Sequence, residues 1–99
     1  MKTILITLAR VEDAVRYARY AGLATHAAAA HGARFLTRGA PLETLEGQMG
    51  VNRAVVSLFD SPDAARTYYR SQQYQAARLE RLGAAQFEMV MAQYTEPEA

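Results

Sequence analysis

The chain has 99 residues, a net charge of +1 and no cysteine. That length suits one domain, the near-neutral charge gives no footprint for nucleic acid or a membrane surface, and the missing thiols exclude disulfides, thiolate metal sites and cysteine nucleophiles. Apolar residues make up 51% and charged residues 21%, which is ordinary globular usage, and no apolar run approaches the ~20 residues of a membrane span.

Met1 to Leu5 opens as a short strand rather than a secretion signal, so a cytoplasmic location is expected. From Lys2 to Ala9 the residues alternate, with Ile4, Ile6 and Leu8 on one face and Thr3, Leu5, Thr7 and Ala9 on the other, the period of a strand. Asp13 is placed to cap a helix running to about Ala30. Its stripe of Ala14, Tyr17, Ala18, Ala21, Ala24 and Ala28 lets it sit close to a sheet. Gly32 ends it, beside His31 in the last turn.

Arg34 to Arg38 reads as a second strand, with a bulge or bend at Gly39-Ala40-Pro41 and an extended path resuming from Leu42 to Glu46. Gly47 to Asn52 fits a hairpin connection to a third strand, Arg53 to Phe59. Ala54, Val56 and Leu58 face one way there, and Arg53, Val55, Ser57 and Phe59 the other. Ser61-Pro62-Asp63 is a strong helix start: a capping hydroxyl, a proline at the first helical position and an acid at the positive end. Ser71 offers a second cap, so this helix is predicted to split near Arg70 and to close at Gly83. Gln86 to Tyr94 is the last strand. The domain is expected to span residues 1–95, with 96–99 a disordered tail.

The order βαββαβ is the split βαβ pattern, and right-handed crossovers put both helices on one face of a four-stranded antiparallel sheet. The fold class is therefore α+β, a ferredoxin-like sandwich. The other face is expected to carry Leu5, Phe35 or Leu36, Phe59, Met89 and Met91, depending on register. That is too much apolar surface to leave in water, so a second copy is the expected cover and the chain is read as a homodimer. Other bearers of this fold fit poorly. An RNA-recognition domain needs stacking aromatics on the first and third strands, which hold one between them. An iron–sulfur protein needs cysteines, and Ala9 to Asp13 is no glycine-rich phosphate loop.

Four stretches together resemble a known family. They are Asp13 to Tyr20 with its paired Tyr17 and Tyr20, Ala30 to Gly39, the Leu45-Glu46-Gly47 triplet, and Ser71-Gln72-Gln73-Tyr74-Gln75 with the trailing Arg81. The resemblance is to the domain of unknown function numbered 1330, in the dimeric α+β barrel superfamily. The chain departs from that family's pattern at Ala33 and Ala40, where paired glycines are usual, and at Met49, where a Trp is common. The resemblance implies two sheets face to face, with a pocket between sheet and helices in each subunit. Its superfamily includes cofactor-independent monooxygenases, isomerases and haem-degrading enzymes.

Each candidate site residue has a functional and a plain reading. Glu46 is either a pocket base held by Arg38 or Arg53, or half of an exposed ion pair. His31 is either a general base or a cation on a helix end. His26 lies five residues before it, off the i, i+4 spacing of a helical metal pair, and no metal or cofactor is expected. Tyr74 and Arg81 share a helix face and either grip an anion or pack in the interior; Tyr17 and Tyr20 stand the same way. Ten of the eleven basic residues are arginine, the better bidentate binder of carboxylates, although a compositional bias gives the same count. Following the family motifs, Arg38, Glu46, Tyr74 and Arg81 are expected to converge on one cavity, with Arg53 and His31 as further ligand-binding candidates. Two functions follow. One is a cofactor-independent enzyme acting on a small acidic, enolisable or aromatic compound. The other is a non-catalytic ligand-binding or structural dimer.

Overall fold

The computed structural model describes residues 1–39 and 41–97. The elements run β1 (Thr3–Val11), α1 (Ala14–Ala30), β2 (Arg34–Arg38), β3 (Arg53–Phe59), α2 (Pro62–Arg70), α3 (Gln72–Arg81) and β4 (Ala85–Gln93). The four strands form one antiparallel sheet in the order β2-β3-β1-β4, with the helices on one side. This is the ferredoxin-like sandwich expected from the element order. No helix among the described residues is long and apolar enough to cross a membrane.

The helix boundaries follow local chemistry. Asp13 accepts the Arg16 amide at 3.0 Å, and Gly32 closes α1 with φ +80°, a backbone state that costs a Cβ-bearing residue more. Ser61 accepts the Ala64 amide at 3.0 Å. Ser71 divides the second helical region as expected. Its hydroxyl donates to the Tyr68 carbonyl at 2.7 Å and accepts from the Tyr74 amide at 3.1 Å, ending α2 and starting α3 with one group.

The assignment of sheet faces needs correction. Leu5 and Phe59 are buried beneath the helices, with Phe35 and Met89 packed against the same core. The helix-free face instead carries Ile4, Ile6, Leu8, Ala54, Val56 and Val90, which meet across the strand pairs Ile6–Val56, Leu8–Ala54 and Ile6–Val90. Alternation separates the two faces but cannot say which one the helices choose when both are apolar. β2 carries a further irregularity that was not expected, between Phe35 and Thr37. The strand then ends in the expected bend at Gly39, with φ +75°, and Ala40 lies outside the described residues. Leu42 to Glu46 forms no strand. In the expected tail, Glu96 lies 3.6 Å from Lys2 in an exposed ion pair, whereas residues 98 and 99 lie outside the described residues.

Replacing Ser61 by Ala removes the hydrogen-bonded cap of α2. A loss of about 1 kcal/mol is expected, read as a fall in Tm of roughly 4–8 °C for a domain of this size. A melt that does not move would show that another group satisfies the first turn.

Candidate functional site

Helix α1 lies closest to α3 and meets the sheet through a layer of aromatic rings. Tyr20 of α1 stands edge-on to Phe87 of β4 with centroids 5.2 Å apart, and edge-on to Tyr74 of α3 at 6.1 Å. Tyr68 of α2 bridges to Phe59 at 5.4 Å and to Tyr74 at 5.0 Å. Beside this layer α1 presents small residues, among them Ala14, Ala18, Ala21 and Gly22, too short to fill the space above the strands. The gap they leave is a cavity of about 530 Å³, lined by these residues, by Tyr17, Tyr20 and Tyr68, and by the sheet residues Leu5, Thr7, Val55, Ser57 and Met89. Its volume falls in the usual range for small-molecule sites.

Arg38 and Arg53 also line it, one from the end of β2 and the other from the start of β3. The irregularity between Phe35 and Thr37 sets Arg38 opposite Val55, on the same side as Phe35 opposite Ser57. The Arg38 guanidinium then sits 5.3 Å from the Phe35 ring centroid, a cation–π contact. Arg53 donates through Nη1 to the Asn52 carbonyl at 2.9 Å. Neither arginine has an ion-pair partner among the described residues.

The other sequence candidates lie elsewhere. Tyr74 is 0% exposed and stands behind two cavity residues, Tyr68, against whose ring it packs, and Tyr20, whose hydroxyl lies 3.0 Å from its own. Arg81 is 9% exposed, its guanidinium 4.0 Å from the Phe87 centroid and 5.6 Å from that of Tyr20, on the helix side of the aromatic layer. His31 donates through Nδ1 to the Ala27 carbonyl at 2.8 Å at the end of α1 and is not among the cavity residues. Glu46 is exposed on the β2–β3 connection and is not among the cavity residues. The expected convergence of four side chains thus reduces to Arg38 at the cavity, Tyr74 and Arg81 one layer behind it, and Glu46 apart. Arg53 joins Arg38. Thr7 and Ser57 were not singled out from sequence. Their signal is small hydroxyl residues on the strand face shared with Leu5 and Phe59.

Burial pushes the Tyr20 phenol well above its ordinary value, reinforced by the neighbouring Tyr74 hydroxyl. It raises Tyr68 likewise, and Tyr17 too, with Arg53 pulling the other way. Among the described residues the lining therefore offers hydroxyl donors and two fixed positive charges, with no carboxylate and no imidazole. Donors and charges of that kind suit an anion. No group of three or more side chains able to hold a metal ion occurs among the described residues.

The raised phenols fix the sign of the alkaline response. Above pH ~10 the unfolded chain releases these protons while the folded chain keeps them. Their contribution to stability is full below that pH and is lost as pH rises further. Urea midpoints should fall between about pH 10 and 11.5, with tyrosinate absorbance from Tyr17, Tyr20 and Tyr68 appearing only as the fold is lost. A Tyr20→Phe, Tyr68→Phe double variant should show a shallower fall. An equal slope in parent and variant would contradict the assignment.

Solved structures share this architecture. A protein of unknown function from Rhodopseudomonas palustris is 16% identical, with 97% of this chain and 84% of that one covered at a TM-score of 0.78. A dimeric ferredoxin-like protein of unknown function from Jannaschia sp. CCS1 is 12% identical, with 95% and 100% covered at 0.70. SnoaB, a cofactor-independent oxygenase from Streptomyces nogalater, is 16% identical, with 98% of each chain covered at 0.58. At these identities the likeness is one of fold. No curated protein matches the sequence. The family model for the domain of unknown function DUF1330 matches residues 2–95, and the chain belongs to that family.

Proposed function

We propose that the protein is a homodimer in which each subunit binds a small acidic molecule with an aromatic or otherwise apolar body. The observation that carries this reading is the pair Arg38 and Arg53, both without an acidic partner among the described residues, at a tyrosine-lined cavity. A carboxylate would take the guanidinium donors. The ring or chain behind it would lie among Tyr17, Phe35, Phe87 and Met89, and the neutral phenols would donate to further oxygens.

The homodimer is supported by the aliphatic helix-free face and by the dimeric state of the Jannaschia protein and of others with this fold. A second, catalytic reading is favoured by the fold shared with the cofactor-independent oxygenase SnoaB. In it, a bound enolisable or phenolic acid loses a proton to Glu46, the family-motif carboxylate, which would have to swing from solvent to the cavity.

Titration calorimetry with benzoate, salicylate and phenylpyruvate tests the first reading. At least one should bind, the corresponding neutral amide should not, and Arg38→Ala or Arg53→Ala should weaken it by about 1.5–3 kcal/mol each. Amide and acid binding alike would refute anion recognition. Glu46→Gln separates the two readings. Binding kept with turnover lost supports catalysis, while no turnover in either protein supports a passive binder.

The dimer has its own test. Ile6 sits at the centre of the helix-free face, opposite Val56 and Val90, so Ile6→Glu should give a folded monomer by sedimentation, since a lone charge is not tolerated in a dry interface. A monomeric parent protein would refute the dimer.

A further inference from the structure

We infer that the connection between β2 and β3 is a clasp for a second copy of this chain, with Leu45 and Met49 buried against the partner. The inference rests on the homodimer proposed above and names the element that makes it stable.

Among the described residues this connection is tied down only at its root. The Gly39 amide donates to the Ala54 carbonyl, and the Asn52 amide to that of Ala9, each at 2.9 Å. Asn52 adds a side-chain copy of strand pairing, accepting from the Val11 amide at 2.8 Å and donating to the Val11 carbonyl at 3.1 Å. Beyond the root the described residues through Gly50 are all exposed. Leu45 is 86% exposed and Met49 64%, with Leu42 close to half. One exposed leucine needs no explanation. Three large apolar side chains within eight residues, on a segment without secondary structure, form a surface that gains by being covered.

The direction of the arm identifies what covers it. Met49 and Val51 wall a groove with Leu8, Arg10 and Glu88. Leu8 pairs with Glu88 across the sheet, on the helix-free side. The arm therefore leans toward the face that a second copy would cover, away from its own cavity. Area points the same way. At ordinary strand spacing and rise, a flat face of four such strands spans roughly 450 Å². Each partner in a stable complex contributes about 800 Å². Two arms related by the two-fold axis supply the shortfall, because every contact is made twice. Ten residues out and back reach roughly 17 Å, further than the ~10 Å between packed sheets.

The cysteine-free chain makes the test direct. Leu45→Cys and Met49→Cys each place one reporter thiol on the arm, and Leu79→Cys places one on the exposed side of α3 as a reference. In samples shown to be dimers by sedimentation, the arm thiols should react with a maleimide at least tenfold more slowly than the reference. In the Ile6→Glu background the rates should become equal. Leu45→Asp should raise the dimer dissociation constant at least tenfold with an unchanged circular dichroism spectrum. Equal rates within an intact dimer would overturn the clasp and leave the dimer standing. Slow arm thiols that stay slow in the monomer would show an arm folded on its own chain, and overturn it equally. A parent protein that sediments as a monomer would remove the homodimer, and the clasp with it.

Discussion

The aromatic layer between α1 and the sheet is the constraint on which the cavity depends. Tyr20 occupies its centre, edge-on to both Phe87 and Tyr74 and hydrogen-bonded to the latter. Rings are stiff, with two side-chain torsions each, so a layer of them works as a spacer of fixed thickness. Edge-on pairs add about 0.5–1.5 kcal/mol beyond area burial. The spacing they impose exceeds what alanine can fill, and α1 carries alanine and glycine where it faces β2 and β3. A helix with leucines at Ala18 and Ala21 would close the gap. The site is thus a consequence of large residues at one end of α1 and small ones along its flank.

Arg81 shows what the layer costs. Removing a guanidinium from water costs several kcal/mol even after relaxation. A desolvated cation–π contact returns about 2 kcal/mol, and Nε has no hydrogen-bond partner among the described residues. The position in the last turn of α3 adds a favourable interaction with the helix dipole of about the same size at best. These gains do not exceed the desolvation cost by any margin, so stability alone does not explain an arginine there. Its guanidinium lies against Phe87 and Tyr20, two rings that also line the cavity, so it stands as a third positive charge behind the cavity that Arg38 and Arg53 line.

Element boundaries were legible in the sequence because they depend on neighbours in the chain. Asp13, Ser61 and Ser71 cap where their spacing to the first helical residues says they should. Which sheet face the helices cover was not legible, because Leu5 and Phe59 compete with Ile4, Ile6 and Val56 on hydrophobicity alone. The distinction is one of shape: the bulky residues mesh with the aromatic layer, while the β-branched ones make a flat surface. The site divides in the same way. Strict alternation along β2 sets Arg38 opposite in facing to Phe35. The irregularity between Phe35 and Thr37, with no glycine to announce it, reverses this and brings both to the cavity. Family motifs pointed to Glu46, Tyr74 and Arg81, but a motif records that residues occur together and not the layer in which each one sits.

The root of the arm is also the wall of the cavity. Gly39 and Arg53 line the cavity and belong to the two ends of the β2–β3 connection. Arg53 donates to the carbonyl of Asn52, and Asn52 is pinned to Val11 and Ala9 of β1. Any force on the arm from a partner is therefore applied within one residue of a guanidinium that lines the cavity. In the proposed dimer, an arm held by the partner also holds Arg53, and a held arginine loses less freedom when an anion arrives. Linkage makes the relation mutual: whatever factor dimerisation adds to anion affinity, a bound anion returns to the dimer. The element that reads as an unstructured connection in the sequence then joins the proposed dimer surface to the candidate cavity.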